Sequence, residues 1–298
     1  MSFEFKPNVR YRMPVMFGPA PGPRQKATGV PWEAQESGTA NVQWATIAYR
    51  SDPAMLEALL PPGFTLAEPV VHVTLGFFRN LYWLAGRGYG IVNVEIPVVC
   101  SGRDQRIEGG LCLVLWEGRP DAITTGREEL GFPKLYADIP DVRLDADSGR
   151  IGGRASWFEH TFFEMEMQGL KEVEVAPQDR RLLGPKGGSI FYKYMPRTGP
   201  FGSGGCDVSY VTCAHPLPGE ERSAQTIKFG EAHYRKWRAE GGALRWHRAS
   251  FEQLPTTFHV VNGIADLPII EYLSAEMIEF SAPGNAVATN GLRVLEMS

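Results

Sequence analysis

Trp116–Ile139 reads WEGRPDAITTGREELGFPKLYADI, and near its end one lysine stands among apolar neighbours. Leu130, Gly131, Phe132 and Pro133 precede Lys134, and Leu135 follows it. The segment joins two strand-like runs, 110–117 and 134–143. A lysine at a strand start is ordinarily a solvated surface residue. An apolar setting offers it a second role. A free lysine, with a pKa near 10.4, is neutral in about one molecule in 2,500 at pH 7. Only the neutral amine attacks a carbonyl group. Burial in a low-dielectric pocket, or a nearby positive charge, disfavours the ammonium and so supplies that amine.

Outward from this segment the chain is rich in turns. Glycine (33) and proline (23) are spread along all 298 residues, which argues for many short strands rather than a helical bundle. Hydrophobic residues make up 43%, enough for a sizeable core. Residues 1–38 read as an extended, proline-rich arm that packs on the rest. Asn41–Arg50 reads as a strand. Asp52 and Pro53 then supply an N-cap and first helical position for a short helix, AMLEALL, that Pro61-Pro62-Gly63 stops. Further strand-like runs fall at 69–79, 89–100, 155–168, 189–195, 206–215 and 268–281, with a short helix around 251–265. No repeat and no long linker divides residues 1–298. The expectation is one α+β, β-rich domain whose antiparallel sheet forms a barrel-like, cone-shaped cavity, with few short helices.

Several function classes lose support. Net charge is −4 and the basic residues are scattered, so no stripe suits nucleic acid. No stretch approaches the roughly 18–20 apolar residues that cross a bilayer. Prolines and charges break up the N-terminus, unlike a secretory signal peptide. Cys100, Cys112, Cys206 and Cys213 show no CxxC pair, as expected for reduced thiols in the cytoplasm. The six histidines show no HExxH spacing, and Cys213-x-His215 alone is weak, so no metal is expected. GPFGSGGCD (199–207) lacks the ending of a phosphate loop and the first glycine of GxSxG, and reads as a plain loop.

Gly126-Arg127-Glu128, followed by Gly131-Phe132-Pro133-Lys134, resembles the lysine signature of the acetoacetate decarboxylase-like superfamily. There a GRE triplet precedes an aromatic-Pro-Lys whose lysine attacks the substrate ketone. Tyr49-Arg50-Ser51-Asp52, Glu95-Ile96-Pro97-Val98, Tyr192–Pro196 and Leu267-Pro268-Ile269 follow the family's order more weakly, from about Asn41 to Phe280. The resemblance implies that Lys134 is catalytic, that no cofactor is needed, and that the partners are a small oxo acid or carbonyl compound and further copies of the chain. Matched without gaps, this sequence departs from the decarboxylase pattern. The second lysine of the signature becomes Leu135. The arginine that engages the substrate carboxylate becomes Val42, and two pocket glutamates become Thr74 and Ile91.

Those four replacements point to a pocket close to neutral apart from Lys134, lined by Val42, Thr74, Ile91, Phe132 and Leu135. Such a pocket cannot hold a carboxylate for release as carbon dioxide, yet it can still form an imine and its enamine. An enamine is a carbon nucleophile, so aldol and dehydration chemistry open from the same intermediate. The superfamily is known to include aldolase–dehydratases. Residues two apart share a strand face, so His72, Tyr89, Asn93 and Glu95 join the pocket if Thr74 and Ile91 do. His72, Tyr89, Glu95 and Glu128 are the candidates for proton transfer. Each also has a bland reading as a satisfied core, strand or capping group. The expected activity is a Schiff-base lyase of aldolase/dehydratase type. The alternatives are an acetoacetate-type decarboxylase and a non-catalytic barrel that holds an apolar carbonyl ligand.

Overall fold

The computed structural model describes residues 4–213, 233–284 and 292–297. The strands are β1 (Thr39–Arg50), β2 (Phe64–Leu66), β3 (Val70–Leu81), β4 (Arg87–Ser101) and β5 (Arg106–Glu117). There follow β6 (Lys134–Tyr136), β7 (Ile151–Trp157), β8 (His160–Gln168), β9 (Lys171–Val173) and β10 (Ser189–Pro196). The last are β11 (Cys206–Cys213), β12 (Tyr234–Arg238), β13 (Gly241–Trp246), β14 (Glu271–Pro283) and β15 (Arg293–Leu295). Three short α-helices, α1 (Pro53–Glu57), α2 (Pro120–Thr125) and α3 (Phe258–Ala265), complete the regular structure with a few single turns. None of the described helices is long and apolar enough to cross a membrane.

A twelve-stranded sheet runs in the order β15-β11-β10-β5-β4-β3-β1-β14-β12-β9, with β2 on β4 and β6 on β5. The expected antiparallel sheet is in fact mixed, because β5 pairs in parallel with both β10 and β6. The parallel β6 follows from the crossover through α2, which returns the chain beside the strand it has just left. Among the described residues the end strands β15 and β9 do not pair, so the sheet is large and mixed rather than a closed barrel. β7, β8 and β13 form a second sheet.

One face of the large sheet carries the main core. Ile47, Val73, Val94 and Trp116 pack there against Phe162, Phe163 and Met165 of the small sheet and against Val261 and Ile264 of α3. The opposite face carries two smaller apolar clusters and several buried polar side chains, among them Thr74, Glu95, Glu117 and Lys134. A bulge shifts the β4–β5 register between Val94 and Glu95, with Leu113 as the extra residue. Cys112 thereby joins the same cluster as Leu115, although the two lie an odd number of residues apart.

Asp52 caps α1 as its sequence suggests, accepting from the Met55 amide at 2.9 Å, but the helix stops at Glu57. The run 155–168 splits into β7 and β8 at Phe158, whose φ of 48° turns the chain back. The run 134–143 keeps only β6, and 251–257 is a set of turns before α3. The end of the 206–215 run, and with it His215, lies outside the described residues. β12 (YRKWR) and β13 (GGALRW) escape a composition-based reading because charge and glycine dominate them.

Trp116 joins the two sheets. It is buried, with its ring 5.2 Å from Phe162 and 5.7 Å from Trp246, centroid to centroid. Trp116→Ala is expected to cost about 3–5 kcal/mol, read from urea unfolding. A loss below about 1 kcal/mol would show that the sheets do not depend on this contact.

Candidate active site

The crossover from β5 to β6 builds the site. Pro120 opens α2, and a π-helical turn over Gly126–Leu130 continues it. Gly131 then ends the helix in the left-handed region at φ 83°. Its amide and that of Phe132 both return to the Gly126 carbonyl. The chain re-enters the sheet with Lys134 beside Leu115 and Tyr136 beside Glu117. This parallel register brings the end of β5 level with the start of β6. Lys134 Nζ lies 2.8 Å from Glu117 Oε1, with both side chains almost sealed from solvent, at 7% and 3% exposure. Nζ also donates to the Ala122 carbonyl at 3.1 Å and stands 5.1 Å from the centre of the Phe132 ring.

Gly126 makes room for the lysine. A Cβ there would fall 2.4–2.7 Å from Lys134 Cε, Cδ and Nζ, closer than real contacts allow. Phe132 stacks on Phe191 at 3.9 Å, closing the apolar side of the site. Ile91, Leu115 and Cys112 complete this cluster, with Trp44, Phe78 and Tyr89 packed against it. Arg127 donates to the Lys134 carbonyl at 2.9 Å and ties the two ends of the crossover together.

The electrostatics depart from the near-neutral pocket expected from the four replacements. That expectation is overturned by Glu117, which sets a second ionisable group against Lys134. Burial pushes the Glu117 carboxyl above the usual carboxylate range, and the Lys134 charge pulls it partly back. Its Oε2 is buried with no hydrogen-bond partner among the described residues. Burial, reinforced by Glu117, holds the Tyr89 phenol well above its ordinary value. Burial also raises the Cys112 thiol, which donates to Asn93 Oδ1 at 3.2 Å. Glu117 was absent from the candidates, although a lone carboxylate at the end of the apolar run LCLVLWE is a visible signal.

The other candidates are dispersed. Tyr89, Ile91 and Phe132 belong to the cluster beside Lys134. Glu95 lies further along the same face, buried, accepting from Ser189 Oγ at 2.6 Å, and burial raises its carboxyl. His72 pairs across the strands with Glu95, and burial lowers its imidazole to about 4. Thr74 is committed to Thr46 by a 2.8 Å hydroxyl contact. Val42 sits in a separate cluster with Ile278 and Phe280. It also lines a cavity of about 350 Å³ with Arg79, Arg143 and His233. Leu135 does not line the pocket: as the strand neighbour of Lys134 it points to the opposite face and packs on the main core. Glu128 contributes its carbonyl, which accepts from Lys193 Nζ at 2.6 Å, whereas Glu129 binds the arm's arginines. Among the described residues no three His, Cys, Asp or Glu side chains are grouped to hold a metal.

The crossover thus holds a sealed lysine against a carboxylate on a large mixed sheet. Comparison with known proteins gives the family. The family model for acetoacetate decarboxylase matches residues 12–291, and the chain belongs to that family. Curated relatives include acetoacetate decarboxylases of Burkholderia vietnamiensis, 25% identical over 79% of this chain and 80% of the relative, and of Burkholderia ambifaria, 24% identical over the same shares. Among solved structures, an acetoacetate decarboxylase superposes with a TM-score of 0.60 and 16% identity over 87% of this chain and 89% of its own. An acetoacetate decarboxylase-like enzyme from Sphingomonas wittichii RW1 gives 0.58 and 17% over 82% and 88%. The enduracididine biosynthesis enzyme MppR, complexed with pyruvate, gives 0.56 and 14% over 82% and 86%. At these identities the solved structures establish the fold alone.

Two outcomes follow from the geometry. Gly126→Ala should cost about 1–3 kcal/mol, read from urea unfolding, because the new methyl occupies the lysine's place. An unchanged midpoint would mean the side chain has another resting position. The His72 imidazole, lowered from 6.5 to about 4 in the fold, binds fewer protons there than in the unfolded chain. Stability should therefore fall as pH drops from 6.5 towards 4, by about 3 kcal/mol from this group. Urea midpoints across that window should flatten in His72→Gln; an unchanged slope would reject the assignment.

Proposed function

We propose that the protein is a Schiff-base lyase of aldolase/dehydratase type, with Lys134 as the amine and Glu117 as the group that moves protons beside it. The supporting observation is the 2.8 Å contact between Lys134 Nζ and Glu117 Oε1 inside an apolar enclosure. In this reading the ammonium gives a proton to the raised Glu117 carboxyl, and the freed amine attacks the carbonyl carbon of an oxo acid. Glu117 returns the proton to the carbinolamine oxygen, water leaves, and an iminium remains. The carboxylate then takes a proton from the carbon next to the iminium, giving an enamine. That carbon attacks an aldehyde, whose oxygen takes the proton back from Glu117, and hydrolysis of the resulting iminium restores the amine. The large sheet supplies the barrel-like pocket, in a single domain without cofactor, and chains associate as homo-oligomers.

Glu117 favours this chemistry over release of carbon dioxide. Enamine formation needs a base at the neighbouring carbon, whereas decarboxylation needs none there. Val42, at the position of the decarboxylase arginine, brings no charge to hold a departing carboxylate. MppR has been captured with the condensation product of pyruvate and imidazole 4-carboxaldehyde, so a protein of this fold holds a product joined from an oxo acid and an aldehyde.

Borohydride with a panel of 2- and 3-oxo acids should add one covalent mass at Lys134, absent in Lys134→Met. Glu117→Gln should slow adduct formation about 100-fold or more while the protein stays folded. An adduct at another lysine, or none with any oxo acid, would sink the imine. Pyruvate with an aromatic aldehyde should give a condensation product, with negligible carbon dioxide from acetoacetate. Efficient Lys134-dependent release of carbon dioxide would instead establish a decarboxylase like the Burkholderia relatives.

A further inference from the structure

Three guanidinium groups of the N-terminal arm converge on one carboxylate. Arg24 sends Nε and Nη2 to Glu129 Oε2 at 2.8 and 2.7 Å. Arg12 Nε stands 3.0 Å from Glu129 Oε1, and Arg10 Nη1 stands 3.9 Å from Oε2. The charges acting on Arg24 are those of Glu129, Arg10 and Arg12, so three positive groups share a single negative one. Arginine does not titrate in this range, so the excess is permanent. Much of it is buried: the side chain of Arg24 is 4% exposed and that of Arg12 13%. Arg24 Nη1 is buried and has no acceptor among the described residues.

The arm holds these groups at fixed spacing. The Arg10 amide donates to Gln25 Oε1 at 2.9 Å, and Gln25 Nε2 donates back to the Arg10 carbonyl at 2.7 Å, locking residues 10 and 25 together. Arg12 Nη1 reaches Thr125 Oγ1 at 2.8 Å, which fastens the arm to the end of α2. Forked guanidiniums at fixed positions are the usual recognition device for planar or tetrahedral oxyanions. The cluster is apart from the lysine, since Thr125 faces the arm whereas the vacant side of Gly126 faces Lys134.

We propose that this cluster binds a small oxyanion, a carboxylate or phosphate group, between Arg24 Nη1 and the half-exposed guanidinium of Arg10. The ligand supplies the acceptor that Nη1 lacks and offsets the surplus positive charge. Arg10, with its long contact to Glu129 and its open flank, is the side chain that moves to admit it. The inference stands on the arm alone and does not require imine chemistry.

The test is thermal unfolding of the full-length protein at constant ionic strength, balanced with sodium chloride. One series is titrated with inorganic phosphate and another with acetate. At least one should raise the midpoint saturably, by about 5 °C or more at 100 times its dissociation constant. The response should vanish in Arg24→Met and need about tenfold more ligand in Arg10→Gln, while Arg103→Gln at a distant exposed pair responds like the parent. If Arg24→Met does not fold, Arg10→Gln decides. A response to phosphate alone assigns a phosphate group, to acetate alone a carboxylate, and to both the shared chemistry. No saturable rise with either, or one that Arg10→Gln and Arg24→Met leave unchanged, overturns the site.

Discussion

Two opposite charges 2.8 Å apart, almost sealed from water, set the terms for the whole lysine face of the sheet. Neither charge is tolerable there alone, because removing a single ion from water costs several kcal/mol after relaxation. Together they are tolerated: burial pushes the Glu117 carboxyl up and the Lys134 charge pulls it partly back. The same contact holds the crossover in place.

The surroundings follow from keeping that contact dry and fixed. Hydrogen-bonded strands determine the separation of the partners, so the pair does not rely on loop geometry. Gly126 gives up a side chain so that the lysine can lie against backbone. Phe132 and Phe191 cover one flank, and the Ala122 carbonyl accepts a hydrogen bond from the amine.

Much of this was legible in the sequence. The GRE and Phe-Pro-Lys elements picked out Lys134, and composition indicated a β-rich fold with few helices. Alternation from Ile91 placed Tyr89, Asn93 and Glu95 on one face, as the side-chain contacts show. What escaped was set by pairing between distant strands. Glu117 becomes a partner of Lys134 only through the parallel register of β5 and β6, which no local pattern encodes. The bulge at Leu113 defeats a period of two along β5, and treating Leu135 as pocket lining ignored that alternation beside Lys134. The four replacements were read as lost charge, while Glu117 brings charge in from another position.

The arm has a consequence for the order in which the molecule is assembled. Arg24 and Glu129 are 105 residues apart in the chain, and contacts of such separation repay their loop-closure entropy late. Glu129 lies on the turn that the β5–β6 pairing shapes, so its arginines have no fixed target until the sheet exists. The arm, made first, docks only after that turn has formed. A nascent chain therefore completes the β5–β6 crossover before it gains the clasp behind it, and Lys134 is in place ahead of the segment that braces it.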